Sequence, residues 1–377
     1  MLHLPVYLDY NATTPCDPRV LEAMLPYFTS RFGNAASATH SFGWQAAEAV
    51  QLAREQVANL INAEPGEIVF TSGATEGDNL AIKGVFSMYA GKGNHIITVA
   101  TEHKAVLDTC RHLEKMGANI TYLPVDAAGL INLKELESAI RHDTVLIAVM
   151  YANNETGVIQ PIREIGQIAK KHHVIFFTDA TQAAGKIPVD VMKDEIDILT
   201  LSAHKFYGPK GAGAIYVRRK NPRVKLTPQL DGGGHEKGVR SGTLNVPGIA
   251  GLGKACAIAI HEMQADGMRL SQLRDRLEFA LTQNNNISVN GSRIHRMPHI
   301  TNLSFPHTNS GVLMRTLSKD LAVSSGSACT SALMEPSYVL KAMGVSDELA
   351  FGSIRFSLGK FTTEEEIDFV IEKLSNL

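Results

Sequence analysis

Long apolar runs are missing from this chain of 377 residues, and none reaches the roughly 18 residues that cross a bilayer as a helix. Residues 1–5 also lack the basic start and apolar stretch of a secretory signal. These absences exclude a helical membrane protein and an exported one. We therefore expect a cytoplasmic protein with no membrane contact.

Cysteine is scarce, and net charge is close to zero. The four cysteines, Cys16, Cys110, Cys256 and Cys329, are far apart and form no Cys-x-x-Cys pair, which argues against a disulfide framework and against a zinc site. The net charge of −2 argues against nucleic acid as a direct ligand. We expect no resident metal ion.

The remaining composition, 44% hydrophobic and 20% charged, is ordinary for a globular protein, and the length allows two or three domains. Seven β-branched runs alternate with helical stretches at 67–71, 95–100, 119–125, 144–152, 174–180, 198–203 and 213–217. This pattern predicts an α/β large domain with a mostly parallel seven-stranded sheet. We place this domain at 14–260 and a smaller α+β domain at 1–13 and 261–377.

Chemically useful residues follow several of these runs, where open α/β sheets bind ligands. Lys205 comes directly after Ser202, Ala203 and His204, and it can form an imine with an aldehyde or be a solvated loop lysine. Residues 71–76 carry hydroxyls and free N–H groups before a helix, which suits a phosphate or a plain turn with a helix cap.

Three further strand ends offer polar side chains. Asp179 can pair with a protonated ring nitrogen or cap a helix, and His103 can stack on a ring, shuttle protons or be an ordinary loop histidine. Asn154 offers an amide to a ring hydroxyl or belongs to a plain turn. Phosphate donors, a ring partner, an imidazole, an amide and a lysine are the groups that pyridoxal phosphate requires.

With these motifs, the sequence resembles the fold type I pyridoxal-phosphate enzymes, and among them the class-V cysteine desulfurases, from residues 7–15 almost to its C-terminus. The resemblance implies that Lys205 carries the cofactor, that Asp179 holds its ring nitrogen and that His103 stacks on its ring. It also implies two sets of cofactor contacts: Asn154 and Gln182 on the ring oxygen side, and Ala74, Thr75, Ser202, His204 and the other subunit's Thr243 on the phosphate. A homodimer is therefore implied.

Cys329 lies among small, turn-forming residues in the segment 322–331, where a thiol is exposed, or else it is a small buried cysteine. We expect Cys110 and Cys256, which lie in helical patterns, and also Cys16, to be buried. The Cys329 segment resembles the active loop of the NifS and IscS group. In 353–358, Arg355 alternates with Ile354 and Phe356, and it resembles the family's arginine for the substrate carboxylate.

The implied activity is removal of sulfur from L-cysteine, which gives L-alanine and a Cys329 persulfide, with Lys205 and His103 moving protons. The sulfur would pass to acceptors for iron–sulfur cluster assembly and tRNA thiolation, and Cys329 would transiently ligate a scaffold-bound cluster. One alternative is a selenocysteine lyase or related class-V lyase. Another is a non-catalytic sulfur-relay or scaffold-binding protein.

Three features depart from the family pattern or extend it. Asn34 resembles a substrate-contacting residue, but Ala35 follows it where proline is usual, and Gly77 stands where the IscS group usually has serine. The sequence stops at Leu377, without the C-terminal tail that helps IscS-type enzymes to dock the cluster scaffold, so the resemblance leaves scaffold docking open and the chemistry intact. Arg218, Arg219, Arg223 and Lys225 form a basic cluster that is either a solvated face or a site for acidic partners.

Overall fold

The computed structural model describes residues 2–283, 286–325 and 335–375. Its helices are α1 (Pro18–Met24), α2 (Ser41–Leu60), α3 (Ala74–Met88), α4 (Lys104–Glu114), α5 (Leu133–Ala139), α6 (Ile162–Lys171), α7 (Val246–Thr282), α8 (Ser310–Thr316), α9 (Tyr338–Ala342), α10 (Asp347–Phe351) and α11 (Glu364–Ser375). Its strands are β1 (Val6–Tyr7), β2 (Ile68–Thr71), β3 (His95–Val99), β4 (Asn119–Leu123), β5 (Thr144–Ala148), β6 (Ile175–Asp179), β7 (Ile198–Ser202), β8 (Gly213–Val217), β9 (Ser288–Val289), β10 (Ile300–Ser304), β11 (Leu321–Ala322) and β12 (Ser353–Ser357). None of these helices has the length and apolar character to cross a membrane.

The central sheet has seven strands in the order β2-β8-β7-β6-β5-β3-β4. Strand β8 is antiparallel to β2 and β7, and the other neighbouring pairs are parallel. The predicted α/β fold with a mostly parallel seven-stranded sheet is therefore confirmed. Each predicted run contains one of these strands.

Hydrophobic cores cover both faces of the sheet. Phe176 belongs to one core and Phe177 to the other, as Ile147 and Leu146 do in the neighbouring strand. Successive strand residues point to opposite faces, so a strand covered on both sides must be apolar throughout. This explains the continuous apolar runs in the sequence.

A second group of elements carries its own core. Strands β9, β10 and β12 form an antiparallel sheet, and β1 pairs in parallel with β11. Val6 and Leu8 share a core with residues of α7, β10, β12 and α11. Helix α7 runs unbroken from Val246 to Thr282 through the expected domain boundary at 260, and the division at 14–260 stays a prediction.

The last helix begins with a reciprocal capping box. The Thr363 N–H donates to Glu366 Oε2 at 2.9 Å, and the Glu366 N–H donates to Thr363 Oγ1 at 3.2 Å. The adjacent pair with the same spacing, Thr362 and Glu365, behaves differently, because the Thr362 hydroxyl accepts from the Gly359 N–H at 3.0 Å. The Thr363 and Glu366 pair therefore provides the cap of this helix.

Arg218 was wrongly placed in the exposed basic cluster. Its side chain is 4% exposed, pairs with Asp197 at 3.1 Å and donates to the Ile196 carbonyl at 2.8 Å. The alternation of β8 continues through Arg218 and turns its side chain inward, whereas Arg219, Arg223 and Lys225 are exposed. Buried positions are confirmed for Cys110 and Cys256, and Cys16 is half-buried.

Candidate active site

A cavity of about 610 Å³ lies where the parallel strands of the central sheet end. Ten of the residues singled out in the sequence line it: Ala74, Thr75, His103, Asn154, Asp179, Gln182, Ser202, His204, Lys205 and Arg355. They follow five different strands or lie in β12, so no short stretch of chain contains the site. The parallel topology gathers them, because it brings the carboxyl ends of the strands to one edge.

Lys205 ends a short 3-10 turn, Ala203–Lys205, directly after β7. Its Nζ donates to the backbone carbonyls of Asn11 at 2.6 Å and Ala12 at 2.9 Å. Burial, and next the charge of Arg355, lower the pKa of this amine to about 8. A substantial fraction of the amine is then neutral near pH 7 to 8, as a nucleophile or a base requires.

Asp179 is the last residue of β6, and its carboxylate faces the cavity. Oδ1 accepts the Thr181 N–H at 2.9 Å, which leaves Oδ2 for a ligand. Two more buried carboxyls, Asp78 and Glu102, have pKa values raised first by burial, with repulsion from Asp179 adding to it. Two carboxyls that favour their neutral form therefore lie near Asp179.

The end of β2 and the start of α3 form a cup of backbone N–H groups. Gly73 precedes the helix with φ +157° and ψ −177°, a conformation essentially restricted to glycine. Ser202 lies beside Gly73, His204 lines the same cavity, and burial lowers the pKa of His204 to about 4. A helix N-terminus with neutral donors around it suits a phosphate.

Glu76, an acidic side chain at this cup, has its charge paired. It accepts from Arg240 Nε at 2.8 Å and from the Ser72 hydroxyl at 2.6 Å. Burial alone would raise the pKa of the Glu76 carboxyl, but these hydrogen bonds outweigh burial and lower that pKa. The cup keeps its preference for an anion.

His103, at the start of α4, and Arg355, in β12, both border the cavity. His103 caps α4 with Nδ1, which accepts the Ala105 N–H at 3.2 Å, so its proton lies on Nε2. Arg355 is buried in β12, where Nη2 pairs with Asp9 at 2.6 Å and Nη1 donates to the Asn154 carbonyl at 3.0 Å. A carboxylate ligand would meet a guanidinium that is already oriented.

Three buried polar atoms at this cavity have no hydrogen-bond partner among the described residues: Asn154 Oδ1, Thr181 Oγ1 and Arg355 Nε. Buried polar groups in native proteins are almost always paired, so these atoms indicate a ligand. The cavity offers an amine for an aldehyde, a carboxylate for a ring nitrogen, an anion cup and a guanidinium. This donor set fits a phosphorylated pyridine aldehyde together with an amino acid.

Comparisons with known proteins agree with this geometry. The pattern described as Aminotransferase class-V matches residues 6–370. The chain belongs to the class-V aminotransferase family, among its cysteine desulfurases. This family uses pyridoxal phosphate.

Curated class-V relatives cover nearly the whole chain. This chain is 57% identical to cysteine desulfurase IscS of Anaeromyxobacter dehalogenans over 371 residues, which are 98% of this chain and 91% of the relative. It is also 57% identical to cysteine desulfurase IscS of Proteus mirabilis over 375 residues, 99% of this chain and 92% of the relative.

Solved class-V structures share the fold as well. A NifS-like protein superposes on this chain with a TM-score of 0.92 at 39% identity, and the superposition covers 99% of each of the two chains. SspA in complex with cysteine superposes with a TM-score of 0.83 at 39% identity, over 95% of this chain and 99% of SspA.

Two expected site residues of this class-V chain are not brought to the cavity, and a third lies outside the described residues. Asn34 and Thr243 are exposed and do not line it, and Asn34 Oδ1 instead accepts the Ala36 N–H at 2.9 Å. Cys329 lies outside the described residues. The roles of all three stay predictions.

Sequence reasoning missed Asn11 and Ala12 of the class-V site. Their carbonyls hold the Lys205 amine. The predicted Gln182 uses both ends of its amide on protein groups, since Nε2 donates to Asn11 O and Oε1 accepts from Lys186. Backbone acceptors carry no residue-type signal. Asn11 lies in the 7–15 segment that carries the family resemblance, which was the available clue.

Proposed function

We propose that the protein is a pyridoxal-phosphate-dependent cysteine desulfurase that converts L-cysteine into L-alanine and leaves the sulfur as a persulfide on Cys329. The observation that carries this proposal is the Lys205 amine, with its pKa lowered to about 8, in one cavity with the Asp179 carboxylate and the Arg355 guanidinium. That combination suits proton removal from the Cα of an amino acid whose carboxylate is fixed.

Pyridoxal phosphate supplies an aldehyde for the substrate amine and a ring that withdraws electrons from the substrate Cα. Asp179 would hold a proton at the ring nitrogen, His103 would cover the ring, and the N–H groups at Ala74 and Thr75 would bind the phosphate. The unpaired Asn154 Oδ1 and Thr181 Oγ1 support polar contacts with the same group.

The protein's own residues position the substrate and move its protons. Arg355, which lines the cavity, would bind the cysteine carboxylate with its guanidinium and hold Cα toward Lys205. Lys205 Nζ, near half neutral at pH 8, would take the Cα proton and return a proton to the product. His103, with its proton on Nε2, would exchange a proton with the substrate thiol or with Cys329.

The sulfur step balances without an outside oxidant or reductant. The Cys329 sulfur attacks the substrate sulfur, an S–S bond forms, and the Cβ–S bond of cysteine breaks with its electron pair going to Cβ. One cysteine and one thiol thus give one alanine and one persulfide. Acceptor proteins for iron–sulfur cluster assembly, and for tRNA thiolation, would take this sulfur, and a scaffold-bound cluster would transiently meet Cys329.

Two variants and a control test this proposal. Lys205→Ala should lose the visible absorbance of the bound cofactor and its trapping by borohydride, whereas Cys329→Ala should keep both and release no sulfide from cysteine. Cys16→Ala removes a half-buried thiol outside the cavity and should behave as wild type. Full cysteine turnover by Cys329→Ala would exclude the persulfide, and unchanged trapping in Lys205→Ala would exclude Lys205.

We also propose a homodimer in which Thr243 reaches the phosphate cup of the partner. Its exposure in the single chain, and the ion pair of neighbouring Arg240 with Glu76 at the rim of the cup, support this placement. Mixing Lys205→Ala and Thr243→Ala subunits should then restore one complete site per heterodimer at most. A monomeric protein by light scattering would contradict this proposal.

Acidic acceptor proteins are proposed to dock on Arg219, Arg223 and Lys225, which are exposed. Cytoplasmic sulfur acceptors are the expected partners. Pull-down with candidate scaffold and tRNA-thiolation proteins, repeated with charge-reversed Arg223 and Lys225, tests both the partner and the surface.

A further inference from the structure

A second lysine lies behind the wall of the active-site cavity. Lys186 lies four residues after Gln182, in the segment that follows β6. Its Nζ lies 3.0 Å from Nε2 of His299, a residue that is 2% exposed. Nζ also lies 3.4 Å from Gln182 Oε1. The residues described in the structure give Lys186 no carboxylate within salt-bridge distance.

Hydrogen-bond directions around Asn11 fix the state of this pair. Asn11 Nδ2 donates to the Asn154 carbonyl at 2.9 Å, so Asn11 Oδ1 is the atom that faces His299 Nε2 at 3.0 Å. An amide oxygen only accepts, and therefore His299 Nε2 carries a proton. Lys186 then faces an N–H, which an amine meets with its lone pair and an ammonium cannot.

Charges around Lys186 act in the same direction. Burial, and next the positive charges of Lys205 and Arg355, lower the pKa of Lys186, and burial also lowers the pKa of His299, with Lys186, Arg274 and Arg355 adding to it. Asp266 of α7 lines a void of about 30 Å³ with Lys186 and Tyr207, and burial raises the pKa of Asp266.

The network ends at the Lys205 amine. Asn11 O accepts from Lys205 Nζ at 2.6 Å and from Gln182 Nε2 at 3.2 Å, and both Asn11 and Gln182 are held through Lys186 and His299. The turn that carries Lys186 is locked against the same region, because Gly185 has φ +74° and a Cβ there would meet Phe206 at 2.7 Å.

We propose that Lys186, as an uncharged amine between His299 and Gln182, is a positioning residue for Lys205. It fixes the Asn11 carbonyl that accepts from Lys205, and it does so without a second positive charge behind the cavity. This inference rests on the proposed function, since it assumes that Lys205 binds pyridoxal phosphate. A purely structural lysine would be charged or indifferent to Lys205.

Three substitutions separate charge from positioning. Lys186→Met removes the hydrogen bonds and adds no charge, Lys186→Gln keeps a neutral polar group, and Lys186→Arg introduces a charge that is never lost. Lys193→Arg is the matched control, because Lys193 is exposed. Each protein is loaded with pyridoxal phosphate, and the pH midpoint of its visible absorbance and the rate of cofactor release are measured.

We expect Lys186→Met and Lys186→Gln to keep the wild-type midpoint, and Lys186→Arg to lower it by about one pH unit or more. Cofactor release should be about two- to tenfold faster in Lys186→Met, the effect of one lost hydrogen bond, and should be restored toward wild type in Lys186→Gln. Lys193→Arg should match wild type in both measurements.

A midpoint raised by about one unit in either neutral variant would show that Lys186 carries a charge and would overturn the proposal. Equal release rates for wild type and Lys186→Met would overturn its positioning role. If Lys186→Met does not fold, the midpoint of Lys186→Gln decides the charge. A wild type without visible absorbance would instead overturn the proposed function itself.

Discussion

Replacing Gly77 with serine, the residue usual at this position in the IscS group, should destabilise this particular chain. Gly77 lies in α3, and a Cβ built there meets Thr200 Cγ2 at 2.6 Å and Thr200 Cβ at 3.2 Å. Overpacking of this kind costs about 1–3 kcal/mol. The better helix propensity of serine over glycine returns about 0.5 kcal/mol, so a net loss of ~0.5–2.5 kcal/mol is expected.

The nearest atom is a methyl carbon that Thr200→Ser would delete. The Thr200 hydroxyl donates to the buried Asp78 Oδ1 at 2.6 Å, and serine keeps this donor. We therefore expect a coupling energy of about 1–2 kcal/mol, which makes the double variant Gly77→Ser with Thr200→Ser at least as stable as Gly77→Ser alone. Thr200→Ser by itself should cost about 1 kcal/mol for the missing methyl.

Urea unfolding followed by circular dichroism is the suitable assay. A chain of 377 residues has an unfolding entropy near 0.8 kcal/mol/K, so the melting temperature would fall by only ~1–3 °C. Gly267→Ser is the matched helical control, because its Cβ would meet atoms no closer than 3.8 Å. Additive effects of the two substitutions, or a Gly77→Ser variant as stable as wild type, would refute the steric argument.

Three other predictions concern charges. Burial raises the pKa of Glu155, whose carboxyl accepts from Ser337 Oγ at 2.5 Å, from 4.5 to about 7, so the contribution of Glu155 to folding stability is complete below pH 4.5 and is lost as the pH rises through 7. Glu155→Gln should remove up to ~3 kcal/mol of the fall in unfolding free energy between pH 5 and pH 8, measured by urea titration. An equal fall in the variant and the wild type would contradict this prediction. Arg218→Met should cost about 3 kcal/mol by leaving Asp197 unpaired, and the loss should shrink below pH 6, where Asp197 with its raised pKa takes up a proton; a pH-independent loss would argue against this cause. Charge reversal at Arg223 and Lys225 should weaken binding of an acidic acceptor at low salt more than at high salt, and unchanged affinity would remove that surface from consideration.

The seven-stranded sheet was predictable because its strands are covered on both faces and are therefore apolar throughout. Runs such as 145–150 left little choice other than a buried strand in an α/β fold. The positions of Lys205 and Asp179 at strand ends followed from the same pattern, because ligands bind at that edge of a parallel sheet.

The prediction for Arg218 failed because neighbouring positions in the sequence do not share one face of a strand. Arg218 stands beside Arg219 in the sequence, but the pleat of β8 sends their side chains in opposite directions, and Asp197 compensates the buried charge. Adjacent basic residues do not reveal which of them faces water. Arg219, Arg223 and Lys225 of the predicted cluster are exposed, and Arg218 is buried.

The sequence alone determined which residue types stand at the strand ends, and these define the kind of chemistry: an amine, a carboxylate and an anion cup. It also carries a family resemblance that covers nearly the whole chain. Tertiary structure alone decided how those groups are tuned. The lowered pKa of Lys205, the carbonyls of Asn11 and Ala12 that hold its amine, and the contact of the half-buried Lys186 with His299 all arise between segments more than a hundred residues apart. Burial and hydrogen bonding depend on which groups meet in space, and residue identity does not record that until the chain folds.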